Sequence, residues 1–180
     1  MRLALIMAAI HLSQPSMEQL KLQQYALTVR EEGASRAIDP LTIVSLVHNE
    51  SRWISTVVGG RDGLCVGLGQ HCLFDYSYCR ANYQSAECLE KKQKLLDGVY
   101  NLKETALRIT EWRKFCKEKT GHAALYQWLA AYQGYNDRNR GIWCGQRKIK
   151  GRWQDVRLGE QTRNVIEYRK HLLSSLTQKS

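Results

Sequence analysis

Proline is nearly missing from this chain, with two residues in 180, and no low-complexity tract, internal repeat or linker interrupts it. That scarcity, together with 43% hydrophobic residues, excludes a disordered or proline-stiffened chain, and the length suits one domain rather than two. Long apolar runs are also missing. The longest, Leu3 to Leu12, is about half of the ~20 residues that a membrane-spanning helix needs. Cys-x-x-Cys pairs are absent although there are six cysteines, so the usual zinc and dithiol redox spacings are excluded. His71 beside Cys72 has no second closely spaced pair to complete a metal set, and no metal or cofactor is expected. Acidic residues are scarce. They number 17 against 27 lysines and arginines, which leaves a formal charge of +10, and between Glu50 and Glu87 only Asp62 and Asp75 are acidic. A field of that sign favours polyanions: nucleic acid, an anionic membrane surface, or an anionic cell wall.

What is present narrows the compartment. "MRLALIMAAIHLSQPS" places Arg2 before an apolar run and a polar exit, the order of a secretory leader, so residues 1–16 are expected to be a signal peptide and 17–180 the working domain. The same run without an Ala-x-Ala site also fits a buried first helix. The even set of cysteines, Cys65, Cys72, Cys79, Cys88, Cys116 and Cys144, predicts disulfides in an exported, periplasmic or secreted protein, with bridges pinning the segment 65–88.

Periodicity then lays out the elements. Met17, Leu20, Gln24 and Leu27 mark a helix ending near Gly33, and Asp39 can cap another that starts at Pro40 and runs out after Glu50. Five glycines between Ser55 and Gln70 predict a close-approach loop. Leu95, Val99, Leu102, Ala106 and Ile109 predict one long core helix from about Ser85 to Lys117. Leu125, Trp128, Leu129 and Tyr132 mark another, "KIKGRWQDV" a short hairpin at Gly151, and Val165, Ile166, Arg169, Leu172 and Leu173 a closing helix. The expectation is a mainly α, single compact domain of around five helices, with a loop-rich cleft and a short β-hairpin.

Four stretches line up in order: "IDPLTIVSLVHNESRW", "GLGQ" at 67–70, "LDGVYNL" at 96–102 and "LAAYQGYN" at 129–136. Cleaving a glycosidic bond requires a carboxylic acid that stays protonated near neutral pH, and a glutamate desolvated at the rim of a cleft meets that need. Glu50 ends an apolar helix and faces a loop of glycines, whose backbone can approach a sugar closely. Trp53, Trp128 and Tyr135 are candidates for stacking on sugar rings, although Trp128, on a helical stripe, reads first as core. His48, two residues before the acid, reads as structural.

Together the four stretches resemble the soluble lytic transglycosylase domain, a goose-lysozyme-like member of the lysozyme superfamily, over roughly Leu20 to Leu173. The family pattern runs Glu-Ser, then about twenty residues to Gly-Leu-Met-Gln, then a helix bearing Ala-Tyr-Asn; here Glu50 to Gln70 is twenty residues, and Ala131-Tyr132 supplies the third element. The resemblance implies an α+β lysozyme-like fold and an enzyme acting on the glycan strands of peptidoglycan. Glu50 would serve as general acid and then as base, giving a 1,6-anhydro-muramyl product, with Ser51, Gly67, Gln70, Tyr132, Gln133, Tyr135 and Asn136 contacting substrate. The chain departs from the pattern at Val57-Val58-Gly59, where the family carries Ala-Val-Ser, at Gly69 in place of Met, and at Gln133 in place of Asn.

Other readings stay open. Asp62 can position a water for a hydrolytic muramidase, or serve only as a turn residue in "RDG". A non-catalytic glycan- or nucleic-acid-binding module would use Lys148, Lys150, Arg152 and Arg157 with Trp143 and Trp153, but the leader-like start and the cysteines argue against nucleic acid. A monomer is expected. A secretion or conjugation apparatus is a further partner that suits a small wall-cleaving domain.

Overall fold

The computed structural model describes residues 1–134, 136–137, 139–156 and 158–177, with Arg61 by its backbone alone. Among them are eight α-helices: α1 Leu3–Ser13, α2 Gln19–Arg36, α3 Pro40–Ser51, α4 Ser77–Ala81, α5 Ala86–Leu96, α6 Gly98–Thr120, α7 Leu125–Tyr132 and α8 Glu160–Thr177. Two small antiparallel sheets complete the domain, β1 Val58–Gly59, β2 Cys65–Val66 and β3 His71–Cys72 in one, β4 Ile142–Trp143, β5 Gln146–Ile149 and β6 Arg152–Asp155 in the other. The domain is mainly α, as the periodicity predicts.

The core is built around α3. Seven successive residues, Leu41 to Val47, are buried, and a helix apolar on every side must be surrounded. Its neighbours are α1, α2 and α8. The start of α3 is written locally. Pro40 occupies the first turn, where a missing N–H costs nothing, and Asp39 Oδ1 accepts the Leu41 N–H at 3.3 Å. The same carboxylate receives Arg169 of α8, with Nη2 at 2.6 Å and Nε at 2.8 Å, so the cap also fastens two helices.

The segment that sequence order reads as a leader forms α1, with Ile6, Ala9 and Ile10 fully buried against α2, α3 and α8. A leader and a core helix share the same apolar run. At the C-terminal end of α1, Ser13 Oγ hydrogen-bonds His48 Nδ1, and the His48 ring stacks on Tyr168 of α8 at 3.7 Å between centroids. Burial, and then the Arg52 charge, push His48 down to about 4, so it is a neutral structural ring joining three helices.

The long helix predicted over 85–117 is two helices. Asp97 ends α5 and caps α6, its Oδ1 accepting the Tyr100 N–H at 2.7 Å. Gly98 then lets Tyr25 of α2 lie on the new helix, since a Cβ there would meet the phenol oxygen at 1.9 Å. The Asp-Gly pair carried that signal, but the apolar stripe runs through the break and masks it. The hairpin at Gly151 is present: Ile149 pairs with Arg152, and Lys150 and Gly151 both take positive φ (48° and 82°), the two-residue primed turn of a tight hairpin.

All six cysteines pair, as Cys65–Cys72, Cys79–Cys88 and Cys116–Cys144. The first two stitch the loop-rich segment 65–88, and the third ties α6 to the turn between β4 and β5. Three bridges suit an oxidising compartment, extracellular or periplasmic. No helix among the described residues is long and apolar enough to cross a membrane.

The burial of α1 makes a prediction. Ile10→Ala should lower unfolding stability by about 2–5 kcal/mol, the usual cost of emptying a buried isoleucine site, and deletion of residues 1–16 should cost more. Urea unfolding of the chain with residues 1–16 present and of the two variants checks it; unchanged midpoints would remove α1 from the core.

Candidate active site

After seven buried residues, α3 reaches the edge of the core at His48–Glu50, which are half-buried. Arg52 then turns left-handed (φ 52°) and ends the helix. Glu50 therefore stands at the last turn of a fully packed helix, and its backbone is held by the core. Its Oε1 accepts a hydrogen bond from Gln133 Nε2 at 3.1 Å, across 83 residues of sequence. Burial pushes the Glu50 carboxyl above the ordinary glutamate range, and hydrogen bonds from Gln133 and then Asn49 pull part of the way back. Among the described residues no neighbouring charge contributes to that shift. A raised carboxyl without a charged partner is the condition for a proton donor near neutral pH.

Gln133 comes from the end of α7. That helix starts with Gln127 Oε1 accepting the Ala124 N–H at 2.7 Å and buries Trp128, Leu129, Ala130 and Ala131, so its C-terminal residues face outward from packed neighbours. Tyr132, the residue before Gln133, donates its hydroxyl to the Gly69 carbonyl at 2.9 Å. Burial, then the Glu50 charge, push its phenol far above the ordinary value, so it stays neutral. The "GLGQ" loop is thereby drawn to the helix that carries Gln133.

The loop is held from its other side by Asn101 of α6. Asn101 Oδ1 accepts the Gly69 N–H at 2.7 Å, while Nδ2 donates to the carbonyls of Leu95 at 2.7 Å and Val66 at 3.2 Å. Thr105, one turn later, hydrogen-bonds His71 Nε2 at 3.0 Å, and burial pushes His71 down to about 4. Gly69 leaves no room for a side chain: a Cβ would meet Thr105 Oγ1 at 2.2 Å and the Tyr132 oxygen at 2.7 Å. The glycine where the family pattern has methionine thus matches a position already filled by Thr105, Tyr132 and His71. Asn101 escaped the sequence reading, although "LDGVYNL" contains it. The available signal was a polar pair, Asn101 and Thr105, set four apart beside an apolar stripe.

The remaining candidates divide. Gly67 sits at φ 81°, where a Cβ would meet Asn101 Nδ2 at 2.0 Å, so packing alone explains this glycine. The amide of Gln70 turns into its own loop, donating to Gly67 O at 3.0 Å and Val57 O at 3.2 Å, and no hydrogen bond joins it to Glu50. Ser51 is buried with its hydroxyl on Val47 O at 3.2 Å. Asn136 Oδ1 accepts the Cys144 N–H at 2.8 Å and fixes the loop beside the third disulfide. Asp62 is exposed in the short turn Arg61–Gly63 and has no hydrogen bond to Glu50. Tyr135 lies outside the described residues.

Two expected stacking residues are core. Trp128 is buried, as its stripe position favours, and Trp53, expected to be available to sugar, is 2% exposed and packs against Tyr25 at 5.9 Å. Trp53 is swung inward by successive left-handed residues, Arg52 and Trp53, directly after α3. Among the basic strip, Lys148, Lys150 and Arg152 are exposed on the hairpin, Trp143 lies under Lys119 at 5.2 Å, and Arg157 is outside the described residues.

The chain matches no family model, no curated protein and no solved structure. The site is therefore judged on its own geometry.

The raised Glu50 carboxyl has a stability consequence with a definite sign. Below the ordinary glutamate value, about 4.3, Glu50 is protonated in both folded and unfolded chains and burial costs nothing electrostatic. As pH rises through its raised folded value, the folded state loses stability relative to the unfolded one. Glu50→Gln, neutral at every pH, should therefore be more stable than the unsubstituted protein at pH 7.5, with the gap shrinking on acidification toward pH 4. Urea midpoints at the two pH values check this; a less stable variant at pH 7.5 would contradict the burial of the carboxyl.

Proposed function

We propose that this domain cleaves the β-1,4 glycosidic bond between the muramyl and glucosaminyl sugars of peptidoglycan, without water, leaving a 1,6-anhydro-muramyl end. The observation that carries the proposal is the isolation of Glu50. It is one half-buried carboxyl whose proton affinity burial raises, held by a neutral amide, with no second carboxylate among the described residues acting on it.

The steps balance with one acid. Glu50 gives its proton to the glycosidic oxygen, the C1–O bond breaks, and the leaving sugar departs with a free 4-hydroxyl. The acetamido oxygen of the substrate stabilises the electron-poor C1. The Glu50 carboxylate then takes the proton from the muramyl 6-hydroxyl as that oxygen bonds to C1, which closes the anhydro ring and restores the acid. Burial of Glu50 favours the first step, and the same group in its ionised form performs the second. Three disulfides, which suit an oxidising extracellular or periplasmic compartment, and a formal charge of +10, which favours an anionic partner, support the reading.

Digestion of purified peptidoglycan followed by mass analysis of the fragments tests the reading. Fragments with ends lighter by one water are expected, and Glu50→Gln should cut their rate by about 10² to 10⁴, the usual worth of a positioned acid, while remaining folded. Water-added ends from the unsubstituted protein would replace the reaction with muramidase hydrolysis. Glycan binding without any cleavage would replace the enzyme with a binding module.

A further inference from the structure

Gln133 has two polar ends, and the structure uses only one. Nε2 donates to Glu50 at 3.1 Å, while Oε1 of the same amide is buried with no hydrogen-bond partner. Buried amide oxygens are nearly always paired, because leaving one dry forfeits its hydration with nothing in return. An unpaired acceptor beside a carboxyl that must change its protonation state is therefore an observation to explain.

The two ends of an amide match the two states of a carboxyl. An ionised carboxylate only accepts, so it requires the NH₂ end; a protonated carboxylic acid offers an O–H, which requires the C=O end. Rotation by half a turn about the terminal side-chain bond exchanges them without moving the rest of the residue, and that torsion is broad and roughly two-fold. Gln133 lies just past the end of α7, directly after Tyr132, whose hydroxyl is bound to Gly69, so the backbone that carries the amide is held while the amide can turn.

We infer that Gln133 is a two-state positioning residue: its amide donates through Nε2 to ionised Glu50 and turns over to accept the proton of neutral Glu50 through Oε1, so that the carboxyl keeps one orientation through both halves of an acid-then-base cycle. The inference rests on the transglycosylase reading for its use in catalysis, but the coupled rotation itself does not require that reading. The groups facing the pair are consistent with it. Asn49 is the other side-chain donor to Glu50. On α7, Tyr132 is the titratable neighbour and stays neutral. On α3, His48 is neutral and occupied by Ser13 and Tyr168. Among the described residues of α6 and the glycine loop, no charge acts on Glu50. Asparagine, the family's residue at this position, is one methylene shorter; a shorter amide would not span the same gap from this backbone position.

Carbon and nitrogen NMR of the labelled full chain tests the coupling. Glu50 Cδ, Gln133 Cδ and Gln133 Nε2 are followed through a pH titration and assigned from Glu50→Gln and Gln133→Met spectra. All three signals should move with one shared midpoint, Gln133 Cδ should shift as a carbonyl that begins to accept an O–H on the acid side, and Gln133 should be flat in Glu50→Gln. A Gln133 Cδ that stays still while Glu50 titrates overturns the inference. Gln133→Met supplies a second reading, provided that its thermal unfolding remains cooperative. If the amide holds the carboxyl in both states, its loss lowers kcat on peptidoglycan about 10- to 100-fold, the scale of a misplaced catalytic group, with KM little changed. An unchanged kcat in Gln133→Met would also overturn it. If the unsubstituted protein does not cleave glycan yet the three signals titrate together, the transglycosylase reading falls and the coupled pair stands.

Discussion

Everything near Glu50 depends on one constraint: α3 is buried along nearly its whole length and can be covered only if other helices close around it. That requirement recruits α1, α2 and α8 as a jacket and pins the position of every residue on α3, including the last turn. The placement of an ionisable group at the exit from such a helix is unusual because both moving it and rehydrating it would require the jacket to open. The raised proton affinity of Glu50 is thus a property of the core as much as of the site. Chemistry that needs a protonated carboxyl can be supported from this packing without any opposing charge.

The glycine-rich wall solves a different problem. Residues 57–72 have little regular structure, yet a cleft needs a wall with a fixed shape. The small sheet of β1, β2 and β3 contributes two residues per strand, too few to hold itself. Rigidity comes instead from the buried side chain of Asn101, which bonds three backbone groups at once, and from the Cys65–Cys72 bridge across β2 and β3. A buried amide fully satisfied in this way specifies one arrangement of the loop. Gly67 and Gly69 are then forced by contact, since side chains would collide with Asn101, Thr105 or Tyr132.

Most helices and the place of Glu50 at the end of one were legible in the sequence, whereas the contacts around it largely were not. Periodicity and the Asp39-Pro40 pair located α3, and Gly151 located the hairpin, because caps and primed turns are local and carry their own residue signatures. The break at Asp97 was hidden because the apolar stripe continues across it, and the run that forms α1 stayed open between two readings because burial and export favour the same composition. Trp53 was misplaced for a third reason: its direction depends on two left-handed residues whose conformation no local preference announces. Gln70, Ser51 and Asn136 show the same limit from the other side. Their types suit sugar binding, but their polar atoms are occupied by the chain's own backbone, which only long-range geometry decides.

On the proposed reading, the choice of partner for Glu50 follows from what an acid must do. A lysine or arginine at position 133 would stabilise the carboxylate and pull its proton affinity down, which removes the donor. A second carboxylate would hold the proton higher but divide it between two sites, so that neither would be a defined acid. A hydroxyl is neutral, but Tyr132, the nearest candidate, is committed to the loop through Gly69. A glutamine amide is neutral, offers a donor and an acceptor, and reaches the carboxyl from the end of a helix whose own face is fixed in the core. The fold therefore raises the proton affinity of Glu50 chiefly by burial and holds the carboxyl through a group that adds no charge.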